Sequence, residues 1–167
     1  MYDELTEVDI RKMKEEEEYR RLELRPKLIE DVKVARGFGD LSENFEYKAA
    51  KQEKNRNDSR IRYLEKMIKT AKVISSESAA DVAGLFDSIV IFYEDTEETQ
   101  EIRLVTTLRQ NSLEGLISKE SPVGKAIIGH RVGERVKVEV DPDCTYFIQI
   151  RSIKKGVDDD TLEIRKF

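Results

Sequence analysis

The chain has 167 residues, 38% apolar and 39% charged, with a formal net charge of −5. Ordinary globular domains sit nearer roughly 45–50% apolar and about 25% charged, which excludes a chain that is compact core throughout and favours a long solvated helical element. One cysteine, Cys144, excludes an internal disulfide and a cysteine-cluster metal site, no stretch is long enough to cross a membrane, and MYDELTEVDIRK has no apolar signal region, so the sequence reads as cytoplasmic.

Charge is unevenly spread. Residues 1–24 hold nine acidic and five basic groups, whereas residues 48–72 hold nine basic and three acidic groups. A basic stretch in an acidic chain is either a contact for an anion such as nucleic acid or a solvated helix face matched to an acidic neighbour.

Thr6-Glu7-Val8-Asp9 has the side-chain types of a capping box, with Asp in place of the usual Glu or Gln, and predicts a helix start. A helix-favouring run follows to about Ala35, with apolar positions Ile10, Met13, Leu24, Leu28 and Val32. The stripe fails at KEEEEYRR, and Pro26 lies inside the run. An interior proline costs about 3 kcal/mol, so the run is one kinked helix or two pieces meeting near Arg25. Arg36-Gly37-Phe38-Gly39 predicts a tight reversal, after which Asp40-Leu41-Ser42-Glu43 starts a second helix lasting to about Val73. Its apolar positions are Tyr47, Ala50, Ile61, Leu64, Ile68 and Ala71. So short a turn makes the helices antiparallel, and about 30 residues each gives a hairpin of roughly 45 Å.

Beyond about Ser76 the apolar period becomes alternating. Ser88–Tyr93 and Glu101–Val105 read as neighbouring strands across the polar turn EDTEET. Ser121-Pro122 predicts a short helix ending at Gly129, with serine as N-cap and proline first. Val136, Val138 and Val140, the turn Asp141-Pro142-Asp143, and Tyr146, Ile148 and Ile150 read as a hairpin. Leu162, Ile164 and Phe167 suggest a last edge strand, and Cys144 a small buried apolar residue. The fold class is α+β: an antiparallel helical hairpin over 1–76 and a mostly β domain over 77–167.

No nucleophile constellation is present. His130, the one histidine, follows Gly129 in a turn and reads as solvent-facing, and neither hydrolase triads nor phosphate-binding glycine motifs occur. The notable group is the hairpin turn, RGFGDLSENFEY. Asp40 and Glu43 are three residues apart at a helix start, near one face at the end of the hairpin. Two readings are compatible: acids capping a helix and favouring its dipole, or two carboxylates for Mg²⁺, weak alone and useful when a partner supplies the remaining ligands.

The segment GDLSENFEYKAAKQEKNRNDSRIRYLEKMIKTAKVI resembles the tip and second helix of the Gre family (GreA/GreB) of bacterial transcript-cleavage factors. The block Ile117–Gly129 resembles that family's C-terminal domain motif, and Arg25-Pro26 also matches. The resemblance runs from about Leu5 to about Ile153. It implies an antiparallel coiled coil with an acidic tip and an FKBP-like β domain with one short helix. It also implies an accessory factor, not a free-standing enzyme, that enters the secondary channel of RNA polymerase and stimulates the polymerase's own cleavage of backtracked nascent RNA. Asp40 and Glu43 would handle a Mg²⁺ shared with the polymerase, with no metal held stably by the chain alone. Lys48, Lys51, Lys54, Arg56 and Arg60 would form a basic patch near the RNA 3′ end, and Ser121 and Pro122 would belong to the polymerase-docking domain. No membrane is involved, and the free protein is expected to be a monomer. Relatives that occupy the channel without promoting cleavage alter the tip, and GDLSEN is intact here. An FKBP-like proline isomerase or chaperone is the remaining alternative. It needs an aromatic-lined pocket, yet the domain has no tryptophan, and Phe86, Phe92, Tyr93, Tyr146 and Phe147 fit strand positions. Two departures stand out: KEEEEYRR lacks the leucines expected of the first helix, and GVDDDTLEIRKF runs past the usual end of the family.

Overall fold

A computed structural model describes residues 3–39 and 44–166. Chain contacts divide it into two units, one of residues 10–71 and one of residues 3–9 with 72–166.

In the first unit, α1 (Glu7–Tyr19) passes into a π-helical segment, Arg20–Leu24, and then into α2 (Arg25–Arg36). Of the two arrangements open from the sequence, the chain takes the continuous one: Tyr19, Leu24 and Arg25 all keep right-handed helical angles. Pro26 is accommodated in the first turn of α2, where its missing N–H costs little. The turn before it is widened, with Arg25 N–H donating to the Arg20 carbonyl five residues back.

The second long helix, α3 (Phe45–Thr70), has 26 residues, about 39 Å at 1.5 Å per residue. It starts later and ends sooner than the sequence predicts, because Asn44 is its cap and Lys72 and Val73 leave for a strand. Partners across the hairpin run in opposite directions: Ala35 with Asn44, Arg25 with Asp58, Glu16 with Arg60. The helices are therefore antiparallel. Val32, Ala35, Ile61 and Leu64 are buried apolar positions in this unit.

Where the leucine stripe fails, a polar seam takes its place. Glu16 accepts both Nε and Nη2 of Arg60 at 3.0 Å and Arg20 Nε at 2.8 Å. Arg20 Nη1 donates to Asn57 Oδ1 at 2.9 Å, and Asn57 Nδ2 returns a bond to the Arg20 carbonyl. Arg25 and Lys54 share Asp58. Asn57 and Arg60 are buried, yet each buried charge is paired, as a low-dielectric seam demands.

In the second unit, β3 (Ser88–Tyr93), β4 (Glu98–Val105), β5 (Leu116–Ser118), β6 (Arg135–Asp141) and β7 (Cys144–Lys154) form one sheet in the order β5-β4-β3-β7-β6. The pairings are antiparallel except β4 with β5. Ile89, Ile91, Ile102, Leu104, Val136, Val138, Ile148 and Ile150 fill the core with Ile127 of α4 (Pro122–Ile127). A smaller core gathers Leu85, Phe86, Val105 and Leu116. β4 starts three residues before the sequence-predicted strand.

Residues 3–9 belong with the sheet unit, a feature the sequence division at 76/77 lacks. β1 (Glu4–Leu5) pairs in parallel with β2 (Lys72–Val73). Thr6 N–H donates to Asp9 Oδ2 at 3.0 Å, the predicted capping box with Asp in the third place. Asp9 is then tied to Arg109, Nε to Oδ1 at 2.8 Å, and both side chains are fully buried.

Two further expectations are corrected. Cys144 is exposed, because it opens β7 beside a turn. The described part of the tail, to Lys166, forms no strand, and Phe167 lies outside the described residues. The tail is instead pinned point by point. Gly156 N–H donates to Asp87, Arg103 to the Val157 carbonyl, and Arg165 N–H to the Leu108 carbonyl. Thr6 donates to Asp158, whose Oδ1 stands 2.7 Å from Arg109 Nη1 in a charge contact poorly aligned for hydrogen bonding. Leu162 packs on the smaller core.

Candidate functional site

The turn end of the hairpin is built from both helices. α2 closes on Gly37, and the N–H groups of Gly37 and Phe38 return to the carbonyls of Val34 and Ala35, both at 3.1 Å. Gly39 has φ of 131°, which only glycine adopts readily. The expected acids, Asp40 and Glu43, lie outside the described residues. The chain re-enters at Asn44, which is extended and buried. Its Oδ1 accepts Tyr47 N–H at 3.0 Å, and its Nδ2 donates to the Ala35 carbonyl at 2.6 Å. One amide thus starts α3 and fastens it to the end of α2, satisfying an orphan donor and giving the Ala35 carbonyl a second bond. Sequence reasoning assigned the cap to Asp40 and Glu43; the cap of α3 is Asn44. The Asx-x-x helix-start pattern at Asn44 was the signal available for it.

α3 sorts its cations onto two faces. Lys48, Lys51 and Arg56 are exposed and line a shallow groove with Gln52, Asn55 and Ser59. Their spacing is three, four, seven, eight and eleven from Lys48, a single helical stripe. Lys48 Nζ sits 5.6 Å from the centre of the Phe45 ring, and Lys51 Nζ and the Arg36 guanidinium lie 5.9 and 5.5 Å from that of Tyr47. The Arg36 hydrogen bond, with Lys51 nearby, holds the Tyr47 phenol below its ordinary range. Arg56 also meets Glu53 at 3.6 Å, a pair more than half exposed on both sides and worth little.

Two expected members of the basic patch face the other way. Arg60 is buried, its guanidinium forked onto Glu16, so it is a structural ion pair and not an RNA contact. Lys54 lends its ammonium to Asp58 at 3.0 Å. Burial alone would raise the carboxyls of Glu16 and Asp58, but the hydrogen bonds from Arg60 and Arg20, and from Lys54 and Arg25, outweigh it and hold both low.

In the sheet unit, Ser121 Oγ accepts Gly124 N–H at 3.1 Å and donates to the Ser118 carbonyl at 2.7 Å, while Pro122 takes the first position of α4 and is exposed. Gly124 is required here, since a Cβ would stand 2.2 Å from the Ser118 carbonyl oxygen. His130 Nδ1 meets the Glu134 carboxylate at 3.2 Å in an exposed turn. Among the described residues no group of three or more His, Cys, Asp or Glu could hold a metal, and no helix is long and apolar enough to cross a membrane.

Comparison with known proteins covers both units. Residues 4–73 match a family model described as transcription elongation factor, N-terminal, and residues 77–155 match one described as transcription elongation factor, GreA/GreB, C-term. A transcription elongation factor GreA of Mesoplasma florum is 39% identical over 150 residues, 89% of this chain and 96% of that one. One from Caldanaerobacter subterraneus subsp. tengcongensis is 41% identical over 137 residues, 81% and 87% of the two chains. A crystal structure of GreA factor homolog 1 (Gfh1) of Thermus thermophilus is 24% identical and covers 93% of this chain and 100% of that one, with a TM-score of 0.43.

Proposed function

This chain belongs to the GreA/GreB family of transcription elongation factors, and from that premise we propose that it binds RNA polymerase through the secondary channel and stimulates the polymerase's intrinsic cleavage of backtracked nascent RNA. The chain itself acts as an accessory, bringing groups to a reaction centre that the polymerase owns.

One observation carries the reading: Asn44 supplies both the cap of α3 and a bond back to α2. The N-cap position of α3 is thus held by Asn44, which leaves the two carboxylates to be read as groups for another task. As hard oxygen donors they suit Mg²⁺, which usually takes only one or two protein carboxylates and completes its shell elsewhere. A Mg²⁺ shared with the polymerase would supply Lewis-acid polarisation at the scissile phosphate. Asp40 and Glu43 would serve as its ligands, and Lys48, Lys51 and Arg56 would draw the displaced RNA toward the hairpin by attraction to its phosphates. Ser121 and Pro122 fit a docking role through the exposed start of α4, which Ser121 holds in place.

The test is a stalled, backtracked elongation complex with cognate polymerase and Mg²⁺. The wild type should shorten the RNA from its 3′ end, and Asp40→Ala/Glu43→Ala should bind equally well without doing so. Binding without cleavage by the wild type, or equal cleavage by the variant, would make the protein a channel-occupying regulator instead.

A further inference from the structure

Phe45 holds the first position of α3 and is 79% exposed, the most exposed aromatic side chain among the described residues. Most of its apolar area faces outward, and among the described residues the contact to its ring is the Lys48 ammonium. Its backbone, by contrast, is firmly held, because the preceding residue is the buried Asn44 with bonds to both helices. The ring is thus a fixed platform.

Its surroundings say what it fits. One helical turn on, Lys48 Nζ stands 5.6 Å from the ring centre. The groove beyond continues with Lys51, Gln52, Asn55 and Arg56. A flat apolar ring followed by a row of cations and amides is the combination that single-stranded nucleic acid requires: a base stacks on the ring, and phosphates follow the charges. An apolar protein wall would call for apolar neighbours around the ring, and among the described residues the ring has the Lys48 ammonium instead.

We infer that Phe45 is a stacking platform for an unpaired base of the displaced RNA 3′ segment, with Lys48 beside the ring to meet the adjoining phosphate. The inference rests on the reading that the hairpin meets RNA inside a polymerase complex. Phe45 is a positioning residue: it fixes where the strand lies and touches no reacting atom.

The test uses the full chain and a backtracked complex whose displaced RNA carries a fluorescent purine analogue. Asp40→Asn/Glu43→Gln serves as the parent, so that the RNA stays intact. Adding the parent should quench the analogue. Phe45→Ala in that background should remove most of the quench at unchanged affinity for the complex, and Phe45→Trp should keep it. In the cleavage-competent chain, Phe45→Ala at saturating factor should slow cleavage roughly 5- to 150-fold, the range one lost stack allows, and Phe45→Trp should restore it. A quench that survives Phe45→Ala overturns the inference. So does the absence of quenching by the parent, and so does a loss of polymerase affinity with quench per bound factor intact, which would seat the ring on a protein wall. The two readings fail separately. A wild type that binds without promoting cleavage sinks the cleavage reading while the quench still decides Phe45. A wild type that cleaves, with Phe45→Ala silent in both arms, sinks only the stack.

Discussion

Replacing Arg109 with methionine isolates the contribution of one buried cation. The guanidinium is fully buried between Asp9, also fully buried, and Asp158, whose side chain is 5% exposed. The cluster therefore holds two carboxylates and one cation. Arg109→Met leaves two buried carboxylates facing an apolar side chain, and removing one partner from a buried pair costs about 3–5 kcal/mol. Asp158→Asn acts in the opposite electrical direction. It leaves a neutral Asp9–Arg109 pair and retains an acceptor for Thr6, so the cost should be about 1 kcal/mol, near that of one weakened hydrogen bond. For a domain of this size each kcal/mol shifts Tm by roughly 4–8 °C, so calorimetry should show Arg109→Met falling by about 12 °C or more and Asp158→Asn by about 4–8 °C. If Arg109→Met unfolds within about 1 kcal/mol of the wild type, or if Asp158→Asn is as damaging, the cluster is not held by charge pairing.

Asn44→Ala should cost about 1–2 kcal/mol by removing the cap of α3 and leaving the Ala35 carbonyl with one bond fewer, read as lower helix stability in urea titration. Glu16 is held below its ordinary value of 4.5 despite burial, because Arg60 and Arg20 bond to its charged form. That stabilisation is present above pH 4.5 and is lost as pH falls below it toward the folded-state titration. Far-ultraviolet circular dichroism should show an acid-induced loss of hairpin stability, and Glu16→Gln should flatten it. Gly156→Ala would set a Cβ 2.0 Å from the Phe86 carbonyl oxygen, where backbone must move, and should lower stability by about 1–3 kcal/mol in calorimetry.

Much of the fold was legible because it rests on local signals. The alternation from Val136 could bury only one face, as Val136 and Val138 do, although Val140 is exposed where the β6–β7 register shifts, and Ser121-Pro122 could only begin a helix. The polar seam was not legible, since EEEEYRR reads as solvated surface until Asn57 and Arg60 arrive opposite it, about forty residues away. The same pairing took Arg60 out of the basic patch: charge counting sees nine cations on one segment but not that one of them is sealed against Glu16. The Asp9–Arg109–Asp158 cluster joins three segments far apart in the chain, and no local pattern marks it. Asn44 was within reach, but the acids before it matched the same capping chemistry and took the role on paper.

The π-helical segment before Pro26 also corrects a phase. Met13 and Val32 are both buried, and they stand nineteen positions apart. At 3.6 residues per turn that separation is five turns plus about 100°, which would put the two side chains on different sides of a regular helix. The widened segment absorbs about one residue, and the remainder closes to whole turns, so Met13 and Val32 return to one line and Leu28 moves in beside it. A ruler laid on the sequence with a fixed helical period goes out of step at Arg20–Leu24, whereas the chain itself stays in step. The inward-facing line therefore keeps one phase from Met13 to Val32, with Glu16 and Arg20 as its polar middle. Removing a single residue there should be tolerated by the stripe yet bring Pro26 into conflict with a regular α-helical turn.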